Sequence, residues 1–273
     1  IIHVLNQKEL LVAVKILSGW SNPGGSTLAH INLCNLFNEN DIECIFYGPH
    51  DWHIDKCNGK LLVDADFAAE DSVIYHFLKY PDRPKFKNFV LSCHETNMYP
   101  IKDMNYQETD FIHYVSNSQR KWHSINHPYQ IIPNVVPQLE ESACSEHRAG
   151  VIGSIDRHKN THVSIQRALD DGFKDVSLFG AVTDEGYFHE HIVPYIEDSN
   201  SGVLYQGYWD GNQEIYNHVD TVYHSSERET YNLIKVECAM AGVEYRGLES
   251  ADTDGEYWEE YEILGKWCEA LDL

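Results

Sequence analysis

Basic residues are scarce. The 273-residue chain has 20 Lys and Arg against 43 Asp and Glu, a formal net charge of -23 at pH 7. That balance repels polyanions, so neither nucleic acid nor an anionic membrane surface is an expected partner. Long apolar runs are missing too, and no stretch reaches the roughly 20 residues that span a bilayer. The first residue is Ile1, and no secretory signal pattern follows it. The seven cysteines, at 34, 44, 57, 93, 144, 238 and 268, form no Cys-x-x-Cys pair. Free thiols in a reducing, cytoplasmic setting are the expectation. His189-Glu-His191 and the pair His50 and His53 have no third ligand at zinc-like spacing, so surface histidines are expected and no metal is assigned.

What is present is core. With 42% hydrophobic and 12% aromatic residues the chain can bury a full interior, and its length suits two domains or one large one. Short β-branched runs recur: 10–17, 42–47, 72–77, 88–93, 111–115 and 130–132. A first turn, Ser18-Gly-Trp-Ser-Asn-Pro-Gly-Gly-Ser26, leads from the first of these into a helix over 27–38. A glycine pair there can bring backbone amides to a phosphate, although the Gly-x-Gly-x-x-Gly fingerprint is absent. A plain tight turn is the alternative reading.

The alternation restarts after a polar stretch without periodicity, 138–149, which reads as a linker. Strands are expected at 150–155, 175–179, 202–205, 221–224 and 243–246. Helices are expected at 161–171, 184–196 and 212–217, beginning near Thr230, and over 256–271. The pattern predicts an α/β protein with mostly parallel sheets in two Rossmann-like domains, 1–137 and 150–255, and a cleft between them. Segment 256–273 is expected to pack back on the first domain.

One stretch carries a chemical question. Glu229 and Glu237 are separated by seven residues, and Glu237 lies in a helix with Leu233, Ile234, Val236, Ala239 and Met240 around it. A carboxylate in such a setting needs a partner, from the protein or from a ligand.

Four landmarks, in order, give the chain a resemblance to a known family: Gly24-Gly25 after the first strand; Cys93-His94-Glu95 after the fourth; Val151-Ile-Gly-Ser-Ile-Asp-Arg-His-Lys159; and Glu229 through Glu237-Cys-Ala-Met-Ala-Gly242. Ile132-Pro-Asn134 is a further match. The chain resembles the retaining glycosyltransferases of the GT-B fold, family 4, with their Glu-x7-Glu motif. The resemblance implies transfer of a sugar from a UDP-, GDP- or ADP-sugar to a sugar acceptor, with no required cofactor or metal.

By that resemblance His94 touches the transferred sugar or acceptor, Glu229 binds the donor sugar, and Glu237 accepts from the ribose hydroxyls. Lys159, with Arg157, Gly25 and the turn Tyr231-Asn232-Leu233, would face the diphosphate, where negative charge develops. Tyr208 and Trp209 are candidates for the base. Three features depart from the family pattern. Ser154 stands where a basic residue is expected, Thr230-Tyr231-Asn232 replaces a Gly-Phe-Gly, and the chain is short. The bland readings are a solvated loop lysine, helix-surface carboxylates and a histidine satisfied at a strand end. Asp64-Ala-Asp66 imitates the metal motif of the other glycosyltransferase fold but comes too early in the chain to serve as one. Two other functions remain open: glucosylation of DNA bases, disfavoured by the charge, and a non-catalytic nucleotide-sugar-binding module on the same scaffold.

Overall fold

The computed structural model describes residues 13–20, 24–79, 85–96, 99–209, 212–249 and 257–273. They divide into two compact units. One contains residues 26–135 and 258–273 together with the first strand, the other residues 136–257.

The first unit is built on a seven-stranded parallel sheet. Its strands are β1 (Val14–Ser18), β2 (Cys44–Gly48), β3 (Gly59–Leu61), β4 (Ser72–His76), β5 (Asn88–Cys93), β6 (Phe111–Tyr114) and β7 (Tyr129–Ile131), in the order β3-β2-β1-β4-β5-β6-β7. Residues 10–12, expected to open the first strand, lie outside the described residues. β1, β2 and β4 are buried along their whole length, as the mostly apolar inner strands of a parallel sheet are. β3 was not anticipated. Its three residues, Gly-Lys-Leu, sit at a sheet edge with little burial and carry no apolar signal. Helices α1 (Gly25–Glu39), α2 (Tyr99–Lys102) and α3 (Asn117–His123) connect the strands.

The second unit has a five-stranded parallel sheet. It comprises β8 (Ala149–Ile152), β9 (Val176–Phe179), β10 (Val203–Gly207), β11 (Thr221–His224) and β12 (Glu244–Gly247), in the order β10-β9-β8-β11-β12. Around it lie α4 (Thr161–Asp170), α5 (Glu185–Tyr187), α6 (Val193–Glu197), α7 (Asn212–Tyr216) and α8 (Leu233–Ala241). The helix expected over 184–196 is interrupted by a π turn at Phe188–Ile192, just before Pro194, which has no backbone N–H to continue an α ladder. The stretch 138–149, expected as the linker, bonds to this unit. Glu140 N–H donates to Gln213 Oε1 (2.7 Å), Ser142 N–H to Ala241 O (2.8 Å) and Ser142 Oγ to Tyr216 O (2.6 Å).

Helix α9 (Glu260–Leu271) starts from a capping box between Glu259 and Glu262. It buries Ile263, Trp267 and Leu271 against Val14, Ile16, Ile74 and Val90 of the first unit's sheet. Asn88 Nδ2 donates to the Leu271 carbonyl at 2.7 Å, which fixes the helix end against β5. Residue 256, the expected start of this segment, lies outside the described residues.

A candidate donor site and a buried histidine cluster

In the second unit, the loop after β8 is organised by one carboxylate. Asp156 accepts from Ser154 Oγ (2.7 Å), from Thr183 Oγ1 (3.0 Å) and from the Lys159 backbone N–H (2.9 Å). The hydroxyl that stands in place of an expected cation therefore holds the loop's own shape. Lys159 then reaches Glu229, Nζ to Oε1 at 2.5 Å, and His224 at the end of β11 donates from Nε2 to the same oxygen at 3.0 Å. Burial pushes the Glu229 carboxyl up, but Lys159 and His224 together outweigh it and hold the group well below the ordinary carboxylate range. It is a buried anion held by an ammonium and an imidazole N–H. Sequence reading missed His224, whose only signal was its position as the last residue of a buried strand.

Glu237 has partners within the protein. Asn212 Nδ2 donates to Oε1 (2.7 Å) and the Tyr216 hydroxyl to Oε2 (2.7 Å), both from α7. Burial nevertheless raises its carboxyl from 4.5 to about 7, opposed by the Tyr216 hydrogen bond. The expectation of a carboxylate waiting for a ligand is corrected to that extent. Its apolar neighbours are also less buried than the pattern suggested: Ala239 is exposed, and Leu233, Ile234, Val236 and Met240 are only half-buried. The helix is shorter than expected as well. Asn232 is its N-cap, with Oδ1 accepting from Lys235 N–H, so α8 starts at Leu233 rather than near Thr230. Between Glu229 and Glu237, only the part from Leu233 onward is helical, a rise of about 6 Å. Gly242 ends it with φ +66°, a left-handed cap that suits glycine.

The remaining candidates separate. Gly25 is the first residue of α1. Tyr231 is buried, and the Asn232 amide donates to the Tyr245 hydroxyl at 2.6 Å besides capping α8, so neither side chain presents itself to a diphosphate. Leu233 offers its backbone position at the helix start. Arg157 is exposed and pairs with Asp184 (3.4 Å) and Glu190 (3.5 Å), whereas Lys159 pairs with Glu229. Trp209, half-buried, packs edge-on against Phe179 at the margin of the core and donates Nε1–H to Gln206 O; Tyr208 is exposed. Asp66 accepts from Tyr47 (3.0 Å) and pairs with Lys15, which uses up half of the metal-motif imitation. Among the described residues no group of three or more His, Cys, Asp or Glu is arranged to hold a metal ion.

In the first unit, His94 follows β5 and belongs to a cluster of four rings. It lies 4.6 Å from His30, 5.6 Å from His76 and 6.0 Å from His113, centre to centre. Burial and the other three histidines keep its pKa well below the usual value, so the ring is neutral at pH 7. Glu95 anchors one side. It accepts from His76 Nε2 (2.9 Å) and from the His94 backbone N–H (3.1 Å). Ser18 Oγ donates to Trp20 O, which leaves its lone pairs for the Trp20 N–H and His76 Nδ1 (3.1 Å). Both His76 nitrogens are thus engaged, one by Ser18 and one by the Glu95 carboxylate. On the other side a chain runs from Ser26 O through His30, Ser92 and His113 to Ile132 O, with links of 2.7, 2.9, 3.0 and 2.7 Å. These elements also frame a cavity of about 10 Å³ lined by His30, His94, His113, Asn134 and Trp267 among others. His30, His76, His113 and Glu95 were not singled out from sequence. His76 and His113 had a signal, histidine at or near the carboxyl ends of parallel strands, where ligands of open α/β sheets bind; His30, inside α1, had none. Surface placement, expected of His50, His53, His189 and His191, does not extend to His30, His76, His113, His123 and His224, which are buried.

No protein-family model and no curated protein matches the chain. Solved structures do. HepE of Anabaena, in complex with UDP and glucose, superposes with a TM-score of 0.68 at 11% identity over 88% of this chain and 81% of that one. TarM gives 0.66 at 9% identity, over 96% and 91%. WaaG, a glycosyltransferase involved in lipopolysaccharide biosynthesis, gives 0.60 at 11%, over 95% and 90%. With its seven-stranded and five-stranded parallel sheets, the chain has the α/β fold of these GT-B glycosyltransferases.

Proposed function

We propose that the protein is a retaining, metal-independent glycosyltransferase that moves a sugar from a nucleoside diphosphate sugar to a sugar acceptor. The observation that carries this reading is the Lys159–Glu229–His224 arrangement at the carboxyl ends of β8 and β11. An ammonium has three protons. One meets Glu229, and two remain for the oxygens of a departing diphosphate, whose charge they neutralise as the bond breaks. The positive end of α8, a nine-residue helix, adds to the same field. Glu229, kept ionised, accepts from hydroxyls of the donor sugar and offsets positive charge at the anomeric carbon. Glu237 accepts from the ribose with the lone pairs that Asn212 and Tyr216 leave. Neutral His94 hydrogen-bonds the sugar that moves. Gly25 and the Leu233 backbone remain the diphosphate candidates; the geometry gives no support to Arg157, Tyr231 or Asn232, nor to Trp209 as a base platform.

UDP-, GDP- and ADP-sugars are the donor classes, and HepE, which binds UDP and glucose, favours testing UDP-glucose first. Thermal shift against the three nucleoside diphosphates and their sugars tests the reading. A ligand at 100 times its dissociation constant adds about 2.7 kcal/mol. Glu237→Ala is expected to abolish that shift. Unchanged nucleotide binding by calorimetry would remove Glu237 from the site. A second reading, a nucleotide-sugar-binding module without turnover, is favoured by the absorption of Ser154 into the Asp156 loop and of Arg157 into outer ion pairs. Release of free nucleoside diphosphate from a donor sugar excludes it. Transfer to DNA bases is disfavoured by the net charge of -23.

A further inference from the structure

Beyond their last paired residues, Cys93 and Tyr114, β5 and β6 part company. β5 runs on into His94 and Glu95, and β6 into Val115 and Ser116, the N-cap of α3. Buried backbone groups left at such a fork need partners, because no water reaches them. One side chain supplies them. Gln119, in the first turn of α3 and fully buried, accepts from the Val115 N–H at Oε1 (2.9 Å). Its Nε2 donates to the carbonyls of Cys93 (3.0 Å) and Glu95 (3.1 Å), with the Cys93 sulfur 3.4 Å away. An N–H on one side and two carbonyls on the other fix which end of the amide is which. Ser116 Oγ accepts from the Gln119 N–H (3.1 Å) and anchors the backbone beneath. The side-chain amide has the shape of a peptide unit, and it continues the sheet across the gap as one would.

The two carbonyls lie on either side of His94. The His94 backbone N–H is taken as well, by Glu95 Oε2 at 3.1 Å, and His123 Nε2, also from α3, meets the Glu95 carbonyl at 3.0 Å. The peptide unit that precedes His94 is therefore held at both its carbonyl and its N–H, and the chain is pinned again one residue later. The direction in which Cβ carries the imidazole, between His30 at 4.6 Å and His76 at 5.6 Å, follows from that hold. A group that meets a reacting sugar depends on such a hold, since a misplacement of about 1 Å can cost about a hundredfold in rate.

We propose that Gln119 is the positioning residue for His94: its amide fixes the backbone from Cys93 to Glu95 so that the imidazole meets the sugar being transferred. This rests on the transfer reading above, and the test separates the two. Gln119→Met fills the same space but bonds neither the carbonyls nor the N–H. Imidazole nitrogen NMR of the whole chain gives one readout, with the His94 signals identified as those missing from His94→Ala. They are expected to shift in Gln119→Met, while those of His224 in the second unit stay in place. Release of nucleoside diphosphate from UDP-, GDP- and ADP-glucose gives the other. Gln119→Met is expected to lower kcat about tenfold, equal to about 1.4 kcal/mol, with KM for the donor unaltered. In the His94→Ala chain the same substitution is expected to cost nothing further, because both residues act through one ring. Gln119→Glu keeps the acceptor for the Val115 N–H and, when protonated, one donor, so it should lose less. It also carries the comparison if Gln119→Met fails to fold. Gln130→Glu, exposed on β7, is the control and should change neither readout. Unmoved His94 signals overturn the proposal, as does an equal loss of kcat in the wild-type and His94→Ala chains. A wild-type chain that releases no nucleoside diphosphate from any of these donors overturns the transfer reading instead, and the imidazole signals then decide the positioning by themselves.

Discussion

Glu237→Gln separates stability from function at one atom pair. The carboxyl rises from its ordinary 4.5 to about 7 on folding because it is buried, despite donors at 2.7 Å from Asn212 and Tyr216. For a group raised on folding, the folded state holds the extra proton between those two values. Its stabilisation is complete below 4.5 and lost as pH climbs through about 7. At about 1.4 kcal/mol for each pH unit, the loss is about 3 kcal/mol. Glutamine cannot ionise, so the variant escapes it. The substituted amide has one acceptor oxygen, which can serve Tyr216, and Asn212 must turn its own amide over to meet the new N–H, at a cost of about 1 kcal/mol if it fails. The expected result in urea unfolding is near equality, or a slight deficit, at pH about 4.5 and a gain of about 2 kcal/mol at pH about 8. Nucleotide affinity should move the other way. Losing a charged acceptor for the ribose costs about 1.5–3 kcal/mol, roughly tenfold or more in dissociation constant. Wild-type affinity should also tighten as pH rises through about 7, as the carboxylate forms. A stability difference that does not change with pH would refute the burial argument. Unaltered nucleotide affinity would refute the ribose assignment.

Other perturbations have equally definite outcomes. Lys159→Ala leaves the Glu229 carboxylate with His224 alone, and breaking such a buried pair costs about 3 kcal/mol; chemical denaturation should show this, with donor binding lost as well. Burial lowers the pKa of His30, His94 and His113, the last to about 4, so these rings stay neutral while the unfolded chain takes up protons. Stability should therefore fall as pH drops below about 6.5, by up to about 1.4 kcal/mol per pH unit for each. Glu237 opposes with one proton against three, and flat unfolding midpoints across that window would contradict a neutral cluster. Trp267→Ala should cost about 3–5 kcal/mol, read as a lowered thermal midpoint, because Trp267 fills the first unit's core and meets His113 edge-on at 4.7 Å.

The sheets were legible because parallel strands buried on both faces are written as short, mostly apolar, β-branched runs, and β1, β2, β4 and β5 are such runs. β3 was not legible, since an exposed three-residue edge strand needs only a neighbour's backbone and leaves no mark on side-chain pattern. The helix of Glu237 was placed correctly by its glycine stop, but its start was placed too early, because the capping by Asn232 outweighed the resemblance to a longer motif. At the site, Lys159 and Glu229 were both singled out, yet their 2.5 Å pairing was not foreseen, nor was the absorption of Ser154 and Arg157 into other contacts.

The acidic charge, the absence of any long apolar run, the strand–helix alternation and the ordered landmarks from Gly24 to Gly242 are properties of the chain itself. They depend on local spacing and composition, which folding does not change. Partnership is different. That Asn212 and Tyr216 meet Glu237, that His224 completes the Lys159–Glu229 pair, and that His30, His76, His94 and His113 share one cluster required strands and helices far apart in sequence to be brought side by side. Burial, which raises one carboxyl to about 7 while a second is held low by Lys159 and His224, belongs to the packed interior and to no stretch of sequence.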